Sequence, residues 1–398
     1  MAAQKLMLSE IAWDERHRVA DVEDVLTPAL VVYPEIVASN IAATLRLVGG
    51  NADRWRAHIK TAKLAYTLRM LIERGVRNFK CATTLELLVA CRSGAADVLL
   101  AYPVVGSNAR RAREIADQFR GVRISVLAEN EEQVRQWSGS AVGVFIDINP
   151  GMNRTGIEQS DEEKIVRLAL AAGKAGLEFR GLHYYDGQYA AMDELERTAK
   201  THAGYDRLLE VVGAMRRSGV SVAEIITAGT PTFPCSIEYA GFRGGDFIHR
   251  VSPGTVVYND ASSLAELPSH GYAPAALVLT RVVSRPHDGI ITCDAGHKSV
   301  SADAGVPTCV VAGHSELTPL GPSEEHLPLA VRAGAEGPQV GDALYLIPRH
   351  VCPTVNNFDC ALLVRSGQIE SVEKVTARGR EEPLLRAPEF ETSAARTV

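Results

Sequence analysis

Two short stretches hold side chains whose types and spacing could do chemistry. In RAHIK, residues 56–60, His58 and Lys60 stand two apart, which on a β-strand puts an imidazole and an amine on the same side. A lysine at the end of a strand either runs out to solvent or presents its amine to a carbonyl compound and forms a Schiff base. In PRHVCPTVN, His350 and Cys352 are again two apart, and an extended segment would aim both at one metal ion. Two ligands alone do not make a site, and a buried histidine beside a core cysteine is the ordinary alternative. The remaining cysteines, at 81, 91, 235, 293, 309 and 360, are scattered without CxxC spacing. That argues against a four-cysteine zinc site and against a disulfide framework, and leaves most of them as core residues.

From about residue 54 to 258, β-rich runs alternate with longer amphipathic stretches. The runs are RAHIK (56–60), NFKCA (78–82), DVLLAY (97–102), RISVLA (123–128), VGVFIDIN (142–149), FRGLHYY (179–185), EIITAG (224–229) and DFIHRVSPG (246–254). Eight of them in about 200 residues, with no GxGxxG turn and no P-loop, predict a (β/α)8 TIM barrel over 27–265. Lys60 then ends the first barrel strand, at the rim where barrels keep their reactive groups. Leu64, Leu68 and Leu71 recur at helical spacing before Gly75, while Thr83 and Glu86 form a capping box ahead of Leu85, Leu88 and Val89, with Gly94 as the stop. After about residue 270 the chain turns to short β-branched runs: AALVLTRVV, GIITCD, TCVVAG, DALYLIP, CALLVRSG and ESVEKVTA. Helical spacing is nearly absent there. This predicts an all-β domain over 266–385, joined by a strand near 29–33. No internal repeat is visible, and the tail after about Ala387 reads as disordered.

Composition bounds the partners. The chain has 398 residues and 42.9 kDa, room for two or three domains. Lys and Arg total 42 against 48 Asp and Glu, a net charge of -6 that lacks the basic excess nucleic-acid binding needs. Hydrophobic residues at 46% and charged residues at 23% exclude disorder, collagen and coiled coil. Apolar stretches such as VLLAYPVVG, from Val98, are too short for a membrane span, and charges interrupt the first residues where a signal peptide needs an apolar core. A cytoplasmic protein without membrane or nucleic-acid partners is expected.

RAHIKTAK followed by CATTLELLVACRSGAADVLLAYP resembles the family of pyridoxal-phosphate enzymes that contains D-threonine aldolase and D-serine dehydratase, built on the alanine-racemase-like barrel. The family pattern is R-P-H-x-K-T-H-K and its first lysine holds the cofactor, which implies Lys60. This chain departs at Ala57, where proline is usual, and at Ala62, where histidine is usual. The second departure removes a polar group near that lysine and leaves room for a substrate different from the familiar ones.

The resemblance continues through IDINPGMNRTGI, GLHYYDGQ, ITAGTPTF, SPGTVVYND, CDAGHKSVSADAG, SEEH and IPRHVCPTVNNFD, and so covers about 27–378. It implies that Arg154 approaches the cofactor ring and that Tyr185 contacts cofactor or substrate; taken alone, these would read as a salt-bridged loop residue and a core tyrosine. Gly229 and Thr230 follow the seventh run, where barrels often surround a phosphate with backbone N–H groups and a hydroxyl. Tyr258 resembles a second phosphate-side contact. Gln188 stands where the family usually has histidine, so that position supplies no acid or base.

His350 and Cys352 match the family's metal site. Members of D-serine-dehydratase type have this pair with zinc, whereas the best known D-threonine aldolases have aspartate for the cysteine and prefer manganese-like ions. A divalent metal is implied, zinc being favoured by thiolate and imidazole and manganese remaining open. The resemblance thus implies a pyridoxal-phosphate- and metal-dependent lyase acting on a D-3-hydroxy amino acid. Aldol cleavage to glycine and an aldehyde comes first. The alternative is β-elimination of D-serine-dehydratase or 3-hydroxyaspartate-dehydratase type, giving a 2-oxo acid and ammonia, with Lys60 taking the α-proton and His58 beside it. An amino-acid racemase, which needs no metal, and a non-catalytic pyridoxal-phosphate carrier stay open. Relatives on this fold often pair head to tail, which implies a homodimer.

Overall fold

A computed structural model describes residues 15–385; the expected disordered tail beyond Ala387 and the charged N-terminal residues 1–14 lie outside the described residues. All eight β-rich runs of the first region form parallel strands. They are β2 (Arg56–His58), β3 (Asn78–Cys81), β4 (Asp97–Leu100), β5 (Arg123–Ala128), β6 (Gly143–Asn149), β8 (Phe179–Tyr184), β9 (Glu224–Thr227) and β10 (Ile248–Val251), with a two-residue strand β7 (Ile157–Glu158) beside β6. Their order is β10-β9-β8-β6-β5-β4-β3-β2, and a parallel bridge between Trp55 and Val251 brings the two ends together into a nearly closed barrel.

Helices cover the outside: α1 (Pro34–Leu47), α2 (Ala65–Glu73), α3 (Thr84–Arg92), α4 (Gly106–Gln118), α5 (Glu131–Arg135), α6 (Glu162–Lys174), α7 (Glu194–Arg217), α8 (Phe233–Glu238) and α9 (Ala261–Glu266). α2 buries Leu68 and Leu71 and gives way to Gly75 at φ +88°, a left-handed position that glycine takes without a Cβ clash. α3 starts as its sequence predicts, with the Thr83 side chain accepting from the Glu86 N–H at 3.0 Å. The reciprocal half of the capping box differs. Glu86 accepts from the N–H of Ala82 at 2.7 Å, one residue earlier, while its other oxygen takes the Lys63 ammonium at 2.7 Å.

The second domain is a curled sheet with one helix. Strand β1 (Ala29–Val32) runs antiparallel to β11 (Ala276–His287) and parallel to β17 (Cys360–Arg365). β12 (Ile290–Cys293), β13 (Cys309–Val311), β16 (Ala343–Pro348) and β18 (Gln368–Lys374) coincide with the remaining predicted runs. Two further strands were not legible: β14 (Leu317–Pro319) and β15 (Leu327–Val331), which pair antiparallel. Each contains a proline, which removes a ladder donor and breaks the β pattern. A short helix, α10 (Val351–Asn356), stands where an extended segment was expected.

The barrel interior is layered. At the N-terminal ends of the strands Arg56 binds Glu224 at 2.8 and 2.9 Å and Asp97 at 2.7 Å; Arg180 reaches Asp97 at 2.6 Å, and Arg250 reaches Glu224 at 2.5 Å. Above this lies an apolar belt of Leu99, Leu127, Phe145 and Ile226. The Arg56 and Arg180 guanidiniums face the Phe145 ring at 5.8 and 5.3 Å, so the belt also touches the charges from above. Buried pairs of this kind need every partner, because a charge left alone in the interior has lost its water. Glu224→Gln is therefore expected to destabilise the fold by about 3–5 kcal/mol, read by chemical denaturation.

Candidate active site

At the C-terminal ends of the barrel strands a cavity of about 300 Å³ opens between the barrel and the β domain. His58, Lys60, Tyr185, Gly229 and Thr230 line its barrel side, and His350 and Cys352 line the other. Lys60 is not on the strand. β2 ends at His58, and Lys60 sits two residues further, in a turn. The expected same-side pairing is replaced by a direct contact, in which the backbone N–H of Lys60 donates to His58 Nδ1 at 3.3 Å. Burial, then the Lys80 and Lys60 ammoniums, holds the His58 imidazole well below its ordinary range, so it is neutral and Nδ1 can accept. The Lys60 side chain is exposed and has no ion-pair partner among the described residues.

The other predicted residues separate into two groups. Tyr185 is half-buried and lines the cavity, and Arg154 stacks on its ring with 4.7 Å between guanidinium carbon and ring centroid. Gly229 packs edge-on against the same ring, since a Cβ there would stand 2.7 Å from a Tyr185 ring carbon. Gly254, also on the lining, would meet the His58 carbonyl at 2.4 Å. The backbone N–H groups of Gly229, Thr230 and Gly254 have no acceptor among the described residues. Tyr258 is not brought to the cavity: it is fully buried, and its hydroxyl bonds Thr67 at 2.7 Å and the Ala62 carbonyl at 3.3 Å. Ala62 is itself in the core, so the missing histidine leaves no gap on the lining. Gln188 donates to the Pro150 carbonyl at 3.1 Å, and its carbonyl oxygen is buried without a partner.

His350 caps α10 and Cys352 lies inside its first turn, so the expected extended geometry is corrected to a helix start. The cap still turns the pair toward each other. Burial opposes charge on both, but the thiol and Asp303 lift the His350 imidazole to about 9, while His350 and Lys60 lower the Cys352 thiol. His350 Nδ1 lies 2.6 Å from the Asp303 carboxylate, which orients the ring, and Cys352 Sγ lies 3.0 Å from the Thr61 hydroxyl. No group of three or more His, Cys, Asp or Glu that could hold a metal occurs among the described residues.

Three residues of the site carried no readable signal. Lys80 is buried beneath the lining, its ammonium 2.6 Å from Ser252 Oγ and 3.3 Å from His183 Nε2, and His183 Nδ1 lies 2.7 Å from Asp147. Burial, and then Lys60, pushes the Lys80 amine down to about 7. Glu266 lines the cavity with its carboxyl pushed up to about 7 by burial and by Asp260. Arg349 lines it too, beside His350. A strand lysine, a helix-end glutamate and a loop arginine look the same in sequence as solvated charges.

A barrel with an unpaired lysine at its mouth and a β domain closing the cavity defines the alanine-racemase-like class of fold. The chain belongs to the family described as alanine racemase, N-terminal domain, whose model matches residues 34–261; residues 275–364 match the putative serine dehydratase domain. D-threonine aldolase of Arthrobacter sp is 28% identical over 373 residues, 89% of this chain and 93% of that protein. 3-Hydroxy-D-aspartate aldolase of Paracoccus denitrificans (strain Pd 1222) is 27% identical over 90% of this chain and 94% of its own length. The crystal structure of D-threonine aldolase from Filomicrobium marinum superposes with a TM-score of 0.82 at 28% identity, covering 89% of this chain and 96% of that one. No helix among the described residues is long and apolar enough to cross a membrane.

The depressed amine yields a stability signature. Because Lys80 has a folded value near 7 against an ordinary 10.5, the unfolded chain holds the extra proton between those limits, and stability rises with pH across that window. Lys80→Met removes this rise. Between pH 7 and 9 the stability of wild type relative to the variant is expected to climb by at most about 3 kcal/mol, read by denaturant titration.

Proposed function

We propose that the chain is a pyridoxal-phosphate- and divalent-metal-dependent lyase acting on a D-configured 3-hydroxy amino acid, with aldol cleavage to glycine and an aldehyde as its reaction. The observation that carries this reading is the meeting, on one cavity, of the unpaired Lys60 amine and the His350–Cys352 pair. Family membership supports pyridoxal phosphate, and the relatives named above are aldolases over about nine-tenths of the chain.

The residues present fit the cofactor. Lys60 would hold it covalently, and the unengaged N–H groups of Gly229, Thr230 and Gly254 suit a phosphate dianion. Tyr185, braced by Arg154 and by the bare face of Gly229, would flank the ring. When bound, pyridoxal phosphate supplies an electron sink for the pair of electrons left when a bond at Cα breaks.

His58 keeps the Lys60 backbone fixed and, being neutral, adds no charge to compete with the amine. The His350–Cys352 pair fits a metal. Its imidazole already spends Nδ1 on Asp303, the outer partner that metal-bound histidines commonly have, and its thiol is held toward the ionised form. Zinc is favoured by these donors, with manganese as the second candidate, and the ion would supply Lewis acidity at the substrate hydroxyl. The proposal extends to a cytoplasmic homodimer, supported by the head-to-tail pairing that the family resemblance implies.

Cys352 favours a second reading, β-elimination to a 2-oxo acid and ammonia, as does the match of residues 275–364 to the putative serine dehydratase domain. The protein incubated with pyridoxal phosphate, zinc or manganese, and D-threonine decides between them: glycine with acetaldehyde marks cleavage, 2-oxobutanoate marks elimination. Neither product from any D-3-hydroxy acid refutes both. Lys60→Ala is expected to abolish the absorbance of the bound cofactor. Cys352→Ala is expected to keep that absorbance and lower metal-dependent turnover on the order of 100-fold or more.

A further inference from the structure

One buried amine beneath the cavity has no part in the proposed reaction. Lys80, on β3, donates to Ser252 Oγ at 2.6 Å and lies 3.3 Å from His183 Nε2. Burial, then the charge of Lys80, keeps that imidazole below its ordinary range and therefore neutral; the Asp147 carboxylate takes its Nδ1 proton, which leaves Nε2 to accept from Lys80. The amine is thus held from two sides. Ser252 in turn ties together two loops of the cavity wall, for it lies on the loop that carries Gly254, its N–H donates to the Thr227 carbonyl at 3.0 Å, and its hydroxyl donates to the Ala228 carbonyl at 2.7 Å. With its own proton committed, Ser252 Oγ needs a donor, and Lys80 is one whether charged or neutral.

Ala228 shows what this network holds in place. Its φ is +64°, in the left-handed region where a Cβ crowds the backbone, so the conformation persists only where the surroundings impose it. A trans peptide points its C=O and its N–H in opposite directions, so tying the Ala228 carbonyl to Ser252 turns the Gly229 N–H away from that hydroxyl. There it meets no acceptor among the described residues. We propose that Lys80 is a positioning residue: acting through Ser252, it keeps the Ala228–Gly229 peptide turned so that the Gly229 N–H is presented to the phosphate group of a ligand in the cavity. The lyase reading supplies the identity of that ligand, pyridoxal phosphate, and the proposal rests on it to that extent. Without the donor at 80, the Ser252 hydroxyl loses its fixed orientation, the Ala228 carbonyl is released, and the peptide relaxes out of the left-handed region, taking the N–H with it.

The test measures, by cofactor absorbance, the dissociation constants of pyridoxal phosphate and of pyridoxal, which lacks only the phosphate, on the full-length apoprotein. Wild type is compared with Lys80→Met, Ser252→Ala, the double variant and Ser252→Thr. Both ligands carry the aldehyde that Lys60 would take, so the ratio of the two constants isolates the phosphate. Lys80→Met and Ser252→Ala are each expected to lower the preference for pyridoxal phosphate by roughly 10-fold, the double variant by no more than either alone, and Ser252→Thr to keep most of it. Should Lys80→Met not fold, Lys80→Gln takes its place. An equal loss on both ligands reduces Lys80 to a structural role and overturns the proposal, as does an unchanged ratio in either single variant. Where neither pyridoxal compound binds wild type, the lyase reading fails, and stabilisation of the apoprotein by sulfate, read by thermal unfolding, decides. Sulfate stabilisation that both single variants weaken supports the positioning role; stabilisation that is absent, or the same in all the proteins, overturns it.

Discussion

The turn after β2 is the constraint on which the rest of the site depends. It carries Lys60, and both domains hold it. On the barrel side the Ile59 N–H donates to the Lys80 carbonyl at 2.9 Å, and the Lys63 ammonium bonds Glu86 at 2.7 Å. On the β-domain side the Lys63 carbonyl accepts from Ala377 at 2.9 Å, and the Thr61 hydroxyl meets Cys352 Sγ at 3.0 Å. Lys63 adopts φ +52°, a left-handed conformation that costs a residue with a Cβ about 1–2 kcal/mol. The bonds at both ends of that residue offset the cost. The turn that carries Lys60 and the thiol at 352 therefore belong to one packed junction, joined through Thr61.

The barrel below supplies rigidity in layers of different chemistry. Ion pairs at the base tie β2, β4, β8, β9 and β10 through Arg56, Asp97, Arg180, Glu224 and Arg250. The apolar belt above separates these charges from the polar layer of Lys80, His183, Asp147 and Ser252. The base sets three guanidiniums against Asp97, Glu224 and, through Arg250, Asp53, yet Arg56 still adds to the field that lowers the Lys80 amine. The depressed Lys80 amine reflects how little water reaches that layer.

Periodicity made the barrel legible, because each strand is a short run that hydrophobic helices punctuate and because parallel strands buried on both faces read as continuous apolar runs. The β domain was less so: LTP and LPLAV carry prolines inside real strands, and PRHVCPTVN became a helix start although its histidine and cysteine still meet. For the site, position after a strand marked Lys60, Gly229 and Thr230, and the motif PRHVCPTVN marked the His350–Cys352 pair. Tyr258 shows the limit of that approach. Its motif placed it near a phosphate, while its ring fills the core under α2 with its hydroxyl already taken. Lys80 and Glu266 were invisible because what makes them unusual is burial by residues distant in sequence, and no local pattern records that.

The domains divide the work. The barrel holds the amine, the stacked Tyr185 and the bare N–H groups, all of which face parts that every amino-acid substrate of this chemistry would share. The β domain brings Arg349, His350 and Cys352 from one short segment that runs from the end of β16 into the first turn of α10, anchored to the barrel by the Val351 N–H on Asp260 and the Ser262 N–H on the Arg349 carbonyl. Because these three residues are nearly consecutive, their positions relative to one another are fixed by local backbone, and their position against Lys60 by the junction at Thr61. Arg349 and Cys352 thus reach the cavity on one segment, apart from the barrel strands. That separation accounts for how a single fold family carries both a racemase-like barrel and a dehydratase-like second domain in this one chain.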